Sequence, residues 1–237
     1  QPIVSAFTAT ATREVKDDIA QTLRLCDPEI VITGFDRPNL YYRVETTRRK
    51  DAFVADYVRS HPGESGIIYC ATRKNVDAVQ EMLRGEDISA ARYHAGMTNE
   101  ERRQSQNDFI YDAAPVIVAT NAFGMGIDKS NVRHVIHYNM PQSMENYYQE
   151  AGRAGRDGLP SQCILLFSPQ DIVINRFLLD HKENDDLDDE AADLLRKRDN
   201  QRLQAMANYC QTTGCLRNYI LRYFGEEPAE PCGSCGN

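Results

Sequence analysis

Between Leu40 and Phe167 the sequence alternates short apolar segments with longer amphipathic ones. The apolar runs Ile67–Tyr69 and Val116–Ala119 are typical of strands that are buried on both faces of a sheet, because no polar residue interrupts them. Strands that alternate with helices along a chain form a parallel sheet with helices packed on both faces. The sequence therefore predicts an α/β fold.

The alternating region predicts strands and helices in turn. The strands are predicted at Tyr41–Glu45, Gly66–Cys70, Ala90–His94, Val116–Thr120, Val132–His137 and Cys163–Phe167. The helices are predicted at Asp51–Ser60, Arg73–Arg84, Thr98–Ile110 and Ser143–Glu150. Thr98 and Glu101 form a capping box, which defines one of these helix starts well.

The segments on either side of this region do not continue its alternation of strands and helices. Residues 1–36 contain a helix-like stretch, Arg13–Leu25, a β-rich piece, Ile30–Thr33, and then the turn residues Asp36–Asn39, a plausible hinge. After Phe167 we predict a small helical module, with helices from Ser168 to about Asp180, at about 188–208 and at about 215–224. The expected division is 1–36, 37–167 and 168–237. Because Gln1 begins what resembles mid-domain sequence, we expect a fragment.

Composition excludes a membrane protein. The mean hydropathy is −0.55, and no apolar run approaches the roughly 18 residues that a membrane span requires. The seven cysteines are odd in number and follow no secretory signal, which favours a reducing compartment: the cytoplasm, or the nucleus of a eukaryote. We expect Cys26, Cys70 and Cys163 to be small buried hydrophobic residues.

The net charge of −8 is unusual for a protein that binds nucleic acid. Residues 183–193 contain seven acids and no base, and without them the chain is nearly neutral. A solvated acidic linker or helix face is the simplest interpretation of that run. The charge therefore neither excludes DNA contacts elsewhere nor supports them.

Polar side chains follow several predicted strands at the edge where parallel sheets collect ligands. In Tyr69–Lys74 a strand runs into a helix that begins with Thr72 and Arg73, which suits a phosphate. In Tyr93–Thr98 the strand-end His94 could donate to a phosphate, although a lone histidine is more often structural. Each signal is weak when it stands alone, because ordinary caps share it.

The segment Ala119–Lys129 is a stronger phosphate candidate. Its glycines, Gly124 and Gly126, permit a tight backbone path that leaves amides free for a phosphate. Its ends, Thr120 and Lys129, add a hydroxyl and a positive charge. A plain glycine-rich turn is the alternative interpretation.

Arg153 and Arg156 stand three residues apart between small residues. We expect a helix to pass through Gly152 and Gly155, so that both guanidinium groups lie on one side and another surface can approach closely. Such a pair could stabilise phosphoryl-transfer charge across a cleft as an arginine finger, while Asp128 could fix an arginine or reach a nucleotide sugar. A surface salt-bridge pair is the weaker alternative, because glycines do not stabilise a helix.

These segments, taken in order, resemble the motifs of superfamily 2 helicases. Motifs III to VI resemble Thr8–Ala11, Ile67–Lys74, Ala119–Lys129 and Gln149–Arg156. The sequences YHAG, AFGMGIDK and QEAGRAGRDG resemble the RecQ family specifically, whereas DEAD-box RNA helicases carry a different motif VI. The resemblance covers essentially the whole chain.

The resemblance implies that Leu40–Phe167 is a second RecA-like domain. Arg156 would be the arginine finger, Arg153 its partner at the nucleotide, and Gln149 would couple the nucleotide state to domain closure. Asp128 and Gly126 would lie beside the nucleotide. The residues facing single-stranded DNA would be Thr72, Arg73, His94, Thr120, Asn121 and Lys129.

The cysteines near the end of the sequence resemble a family zinc site. Cys215, Cys232 and Cys235 have the spacing C-x16-C-x2-C, and the family places a fourth cysteine three residues further on, beyond Asn237. Cys210 misses the family position, so we expect it not to be a ligand.

No Walker A sequence and no magnesium motif occurs in the 237 residues. The helicase interpretation places them in an upstream first RecA-like domain, which would hold most of the ATP and Mg²⁺, so this chain alone is not expected to hydrolyse ATP. The expected function is the C-terminal half of the motor of a 3′–5′ DNA helicase, with single-stranded or partly duplex DNA and that domain in cis as partners. The alternatives are an RNA-directed helicase, a non-catalytic nucleic-acid-binding module and a zinc-stapled protein-interaction domain.

Overall fold

A computed structural model describes residues 4–8, 13–31, 33–124, 127–181, 189–228 and 232–237. Gly126, most of the helicase motif III segment and most of the acidic run lie outside the described residues. No helix in the described ranges is long and apolar enough to cross a membrane.

Six parallel strands form one sheet in the order β1-β6-β5-β2-β4-β3. In chain order they are β1 Leu40–Thr46, β2 Ser65–Tyr69, β3 Ala90–Tyr93, β4 Val116–Ala119, β5 Val132–His137 and β6 Ser161–Phe167. Every predicted strand between Leu40 and Phe167 is present, with ends that shift by at most two residues. The parallel sheet predicted from the alternation is therefore confirmed.

Helices cover both faces of the sheet. They are α1 Arg13–Thr22, α2 Lys50–Ser60, α3 Arg73–Gly85, α4 Asn99–Ile110, α5 Met144–Ala151, α6 Pro169–Asp180, α7 Asp189–Gln211 and α8 Leu216–Tyr223. Adjacent strand residues serve different cores: Ile67 packs in one buried cluster with α5, α7 and α8, and Ile68 in another with α2 and α3. This two-residue period explains the uninterrupted apolar runs.

Short polar residues fix where the helices begin. The side chains of Thr72 and Ser143 accept hydrogen bonds from the first turns of α3 and α5. The capping box predicted at Thr98 is present in both halves, and Ser168 with Asp171 forms a second at the start of α6. These caps place the carboxyl ends of the strands next to helix N-termini, where the candidate sites lie.

Two expectations outside the sheet are wrong. The described residues of Ile30–Thr33 form no strand, and Val31 is 78% exposed, because a short apolar segment becomes a strand only when it has a partner. Cys26 is exposed, whereas Cys70 and Cys163 are buried as expected. The helical texture predicted after Phe167 is confirmed, and Tyr209 of α7 donates to the Tyr147 hydroxyl of α5 in the core.

Candidate nucleotide and nucleic-acid sites

The two candidate arginines follow α5, and the helix predicted to carry them is wrong at this point. The helix ends at Ala151, Gly152 is its C-cap, and Gly155 has a φ of +56°, in the left-handed region. Arg153 and Arg156 therefore project from an irregular turn. We call residues 152–159 the arginine turn.

Arg153 packs against the backbone of the glycine-rich loop. Its guanidinium donates to the Gly124 carbonyl, and a Cβ on Gly124 would lie 2.2 Å from the guanidinium carbon. Gly124 also has a φ of +124°, which L side chains rarely adopt. Gly124 is thus required for both the loop path and the close approach of Arg153.

Arg156 meets the same loop further along. Its Nη1 donates to the Ile127 carbonyl at 3.0 Å and lies 3.8 Å from Asp128 Oδ1. The Arg156 side chain is 38% exposed and that of Asp128 is 92% exposed. Asp128 therefore lies beside an arginine, and Gly126 is outside the described residues.

Backbone carbonyls orient both guanidinium groups without cancelling their charge. The Asp128 carboxylate lies 3.8 Å from Arg156 Nη1, beyond hydrogen-bond distance. Arg156, a planar cation that is held in place but still 38% exposed, is suited to developing phosphoryl charge, whereas Arg153 is half-buried behind it in the loop contact. Gln149 is exposed on the last turn of α5 before these arginines.

The arginine turn needs small residues because of contacts within this chain, whereas the sequence suggested the approach of another surface. A Cβ on Gly155 would lie 2.4 Å from Asn39 Nδ2 and 2.8 Å from the Leu159 carbonyl. A Cβ on Gly152 would lie 2.9 Å from the Tyr148 carbonyl of its own helix. The surface that approaches closely is thus the segment before β1, within this chain.

The second candidate site lies at the carboxyl ends of β2, β3 and β4. Thr72 Oγ1 accepts from the Asn75 amide at 3.1 Å as the cap of α3. Arg73 is exposed, and its side chain lies over Gly96, where an added Cβ would be 3.3 Å from Nη1. Arg73 is therefore a cation available at a helix N-terminus.

His94 is buried beside Arg73 and is already bonded. Its Nδ1 accepts from the Gly96 amide at 3.1 Å, and its Nε2 lies 3.2 Å from Asp77 Oδ1. Both ring nitrogens are engaged, so His94 shapes the loop over which Arg73 lies.

Thr120 and Asn121 complete this edge. The Thr120 amide donates to the Tyr93 carbonyl at 3.1 Å, which joins the ends of β3 and β4. Asn121 is exposed and lines a polar cleft together with Asn139 and Asn146. Five of the six predicted DNA-facing residues thus gather at one edge of the sheet.

Lys129, the sixth, lies on the opposite side of the sheet, at the amino ends of the strands. Its Nζ is 2.8 Å from Asp112 Oδ1, donates to the Ile110 carbonyl at 3.2 Å and lies over the Phe109 ring. The hydrogen bond from Lys129 lowers the pKa of Asp112. To reach Lys129, a phosphate would have to displace Asp112. The Lys129 side chain is moreover only 4% exposed. The structure therefore separates Lys129 from the other five residues.

Some residues at these sites carried no signal in the sequence. His137 Nε2 lies 2.9 Å from Glu150 Oε2, buried under the polar cleft at the end of β5. Arg37, which contacts the arginine turn, stands in a segment predicted only as a hinge. Gly152 lies 115 residues from Arg37, and Glu150 lies 13 residues from His137 on a different element, so no local pattern could reveal either contact.

The three candidate metal ligands converge as predicted. Cys215 Sγ lies 3.3 Å from Cys232 Sγ and 3.8 Å from Cys235 Sγ, and all three lie within 4.8 Å of one another. Thiolates about 2.3 Å from a tetrahedral zinc are separated by similar distances, so these residues fit that metal. Burial tends to raise the pKa of Cys232, but hydrogen bonds from Ser234 and Cys215 lower it to about 6. Cys210 is buried outside this cluster.

Comparison with known proteins supports both parts of the chain. Residues 49–158 match the helicase conserved C-terminal domain, and residues 169–237 match the RecQ zinc-binding family. The ATP-dependent DNA helicase RecQ of Bacillus subtilis is 48% identical over all of this chain and 39% of its own length. That of Pasteurella multocida is 40% identical over 98% of this chain and 35% of its own length. The chain thus spans less than half of these relatives.

A solved structure shows the fold. The Saccharomyces cerevisiae protein Dbp5, bound to RNA and ADP BeF3, aligns with a TM-score of 0.62 and 19% identity over 83% of this chain and 54% of its own. Together with the helicase domain match, this confirms the expected RecA-like fold with a helical region after it. The chain belongs to the RecQ family, of which it contains the helicase C-terminal domain and the zinc-binding region.

Proposed function

We propose that this chain is the C-terminal half of the motor core of an ATP-dependent 3′–5′ DNA helicase. The observation that carries the proposal is the arginine turn, which holds Arg153 and Arg156 against the glycine-rich loop through backbone carbonyls. The RecQ relatives are named ATP-dependent DNA helicases, which agrees with this assignment.

The nucleotide would be shared with a first RecA-like domain in cis. That domain would supply the phosphate loop and Mg²⁺ ligands, since neither motif occurs in this sequence. Arg156 would act as the finger on the γ-phosphate of ATP, with Arg153 and Asp128 fixing its surroundings. Gln149, exposed at the end of α5, would link nucleotide state to closure, and Gly126 would lie at the same loop.

Single-stranded DNA would cross the carboxyl edge of the sheet. Arg73 would supply charge to a phosphate, while Thr72, Thr120 and Asn121 would add neutral hydrogen-bonding groups. We propose that His94 positions the loop under Arg73 and that Lys129 stabilises the opposite edge. Contacts of this kind carry no base information, so binding would be independent of sequence.

Zinc would be structural. Cys215, Cys232 and Cys235 would hold it, with a fourth ligand from sequence after Asn237. We propose the division into 1–36, 37–167 and 168–237, and a location where DNA is found, the bacterial cytoplasm or a eukaryotic nucleus.

The test is ATP turnover by the full-length protein with single-stranded DNA, with RNA or with no polymer. We expect DNA to stimulate turnover, and Arg156→Ala to lower kcat by about 10³-fold or more while ATP binding is kept. Arg59→Ala, an exposed arginine of α2, is the matched control. Stimulation by RNA alone would support an RNA-directed helicase, and near-normal turnover of Arg156→Ala would remove the finger role.

A further inference from the structure

Residues 34–39, the linker segment, lie between the zinc-binding region and the arginine turn. The Phe35 ring stacks on Phe224 with centroids 4.6 Å apart and meets Tyr148 edge-on at 5.8 Å. Its backbone is bonded on both sides, because the amide donates to Glu226 and the carbonyl accepts from the Tyr148 hydroxyl. The linker segment is therefore packed in place rather than freely hinged.

Arg217 of α8 fastens the same segment from the zinc-binding side. Its guanidinium donates to Asp36 Oδ1 at 2.8 Å, to the Arg37 carbonyl at 2.7 Å and to the Leu40 carbonyl at 2.6 Å. Its side chain is only 6% exposed, and a buried cation is tolerated when its donors are satisfied in this way. Arg217 follows the metal ligand Cys215 by two residues, so the linker segment is tied directly to the thiol cluster.

Arg37 extends from the linker segment to the arginine turn. Its guanidinium donates to the carbonyls of Gly152 at 3.2 Å, Ala154 at 3.0 Å and Gly155 at 3.1 Å. The last carbonyls of a helix have no partner within the helix, and a cation there is favoured by the helix dipole. Arg37 thus caps the end of α5 from a distant part of the chain, using a planar group that lysine can replace only in part.

Asn39 holds the same turn at a second point. Its Nδ2 donates to the Gly155 carbonyl at 2.8 Å and to the Leu159 carbonyl at 3.0 Å. Two linker side chains therefore bind carbonyls on either side of Arg156. The arginine turn has no regular helix or strand of its own, so these external donors help to fix its shape, together with the backbone bonds from Gly155 to Val132 and from Asp157 to Ser130.

We propose that Arg37 is a positioning residue for the arginine finger, and that Arg217 holds Arg37 so that the zinc-binding region is coupled to ATP turnover. The inference rests on the proposed function, because it assigns a role in the same reaction. A misplacement of about 1 Å in a catalytic group lowers a rate by roughly 10²-fold, which makes the shape of this turn a determinant of kcat. Arg37 itself makes no contact that requires ATP or DNA.

The experiment compares Arg37→Ala and Arg37→Lys in the full-length protein, with Arg59→Ala as control. We expect Arg37→Ala to lower kcat by about 10- to 100-fold with the KM for ATP and the affinity for single-stranded DNA unchanged. Deuterium uptake by the peptide covering 152–160 should rise, while uptake by β2 and β4 stays constant. Arg37→Lys should restore part of both properties, because an ammonium can reach some of the three carbonyls.

Asp36→Ala tests the second part of the proposal, that Arg217 holds the linker segment in place. Asp36 is half-exposed, so its loss should leave the fold intact while removing one partner of Arg217. We expect a smaller fall in kcat and a smaller rise in deuterium uptake at the arginine turn. If Arg37→Ala does not fold, Asp36→Ala still tests whether the linker segment affects ATP turnover.

The outcomes separate the inference from the proposed function. Normal kcat in Arg37→Ala and Asp36→Ala, beside an inactive Arg156→Ala, overturns the coupling alone. A lower kcat without faster exchange at 152–160 also overturns it. Normal turnover in Arg156→Ala contradicts the proposed function itself, whatever the linker variants do.

Discussion

His134 shows at the scale of one residue what burial does to a titratable group. It lies in β5 with a fully buried ring, and neither ring nitrogen has a hydrogen-bond partner within the described structure. The groups facing it are the Tyr57 ring, the Glu64 carboxylate at 3.9 Å and His61. Burial, aided by the charge of His61, lowers the pKa of His134 to about 4. The imidazole is therefore neutral in the folded protein.

This burial predicts a stability loss at mildly acidic pH. Below its ordinary pKa of 6.5 the unfolded His134 binds a proton that the folded one does not, so stability falls as the pH falls from 6.5 towards 4. The contribution of this group is about 3 kcal/mol across that window. Urea unfolding at a series of pH values should show it, and His134→Phe should reduce the pH dependence. His181→Gln, at an exposed position after α6, should leave it unchanged.

Residue types at the candidate site were predictable, whereas their backbone was not. Arg153, Arg156 and the nearby glycines stand out in the sequence, but a helix through Gly155 was the wrong expectation. The left-handed Gly155 is set by Asn39, which packs against it from 116 residues away. A contact of that kind has no local signature, since the sequence near Gly155 is compatible with either backbone.

At the scale of elements, boundaries were predictable where a side chain bonds to its own helix. Thr98 and Ser168 cap α4 and α6 as expected, because capping is a contact over three residues. The segment Ile30–Thr33 was not predictable in the same way, because a strand depends on a partner rather than on its own residues. The start of a helix depends on contacts within a few residues, whereas a strand depends on pairing with another strand.

Asp171 makes the start of α6 more than a cap. It accepts from Lys50 Nζ at 3.0 Å, from Asn139 Nδ2 at 3.1 Å and from the Ser168 amide at 3.0 Å, and its side chain is 5% exposed. Asp171→Ala should lower the free energy of unfolding by about 3–5 kcal/mol, because it leaves the largely buried ammonium of Lys50 without a carboxylate and with only the Tyr138 carbonyl. Ser168→Ala, which removes only the cap, should cost about 1 kcal/mol. Equal losses in urea unfolding would show that the buried ion pair adds nothing.

At the scale of the molecule, the alternation of strands and helices predicted the sheet but not at which end of the strands each residue lies. Lys129 belongs to the same segment as Thr120, yet it lies at the amino ends of the strands beside Asp112. The loop between β4 and β5 crosses from one edge to the other, so residues nine positions apart serve different surfaces. Sheet topology, rather than motif membership, decides which side chains can meet a ligand.

The thiol cluster also acts on the whole molecule, because it holds residues 232–237 against the edge strand β1. The Gly236 amide donates to the Tyr42 carbonyl at 2.8 Å, and Cys235 forms a parallel bridge with Tyr42. Asn237 Nδ2 donates to the Thr212 and Gly214 carbonyls at 2.8 Å, which joins this segment to the start of α8. A metal at the cluster would therefore protect an exposed sheet edge.

Removal of zinc from the full-length protein should uncover that edge first. We expect a chelator to lower the free energy of unfolding and to raise deuterium uptake in the β1 peptide, while the central strands β2 and β4 keep their protection. Cys235→Ser should reproduce the effect without chelator, and Cys26→Ser, at an exposed position, should not. Unchanged uptake in β1 after the metal is lost would mean that the segment 232–237 stays in place through packing alone.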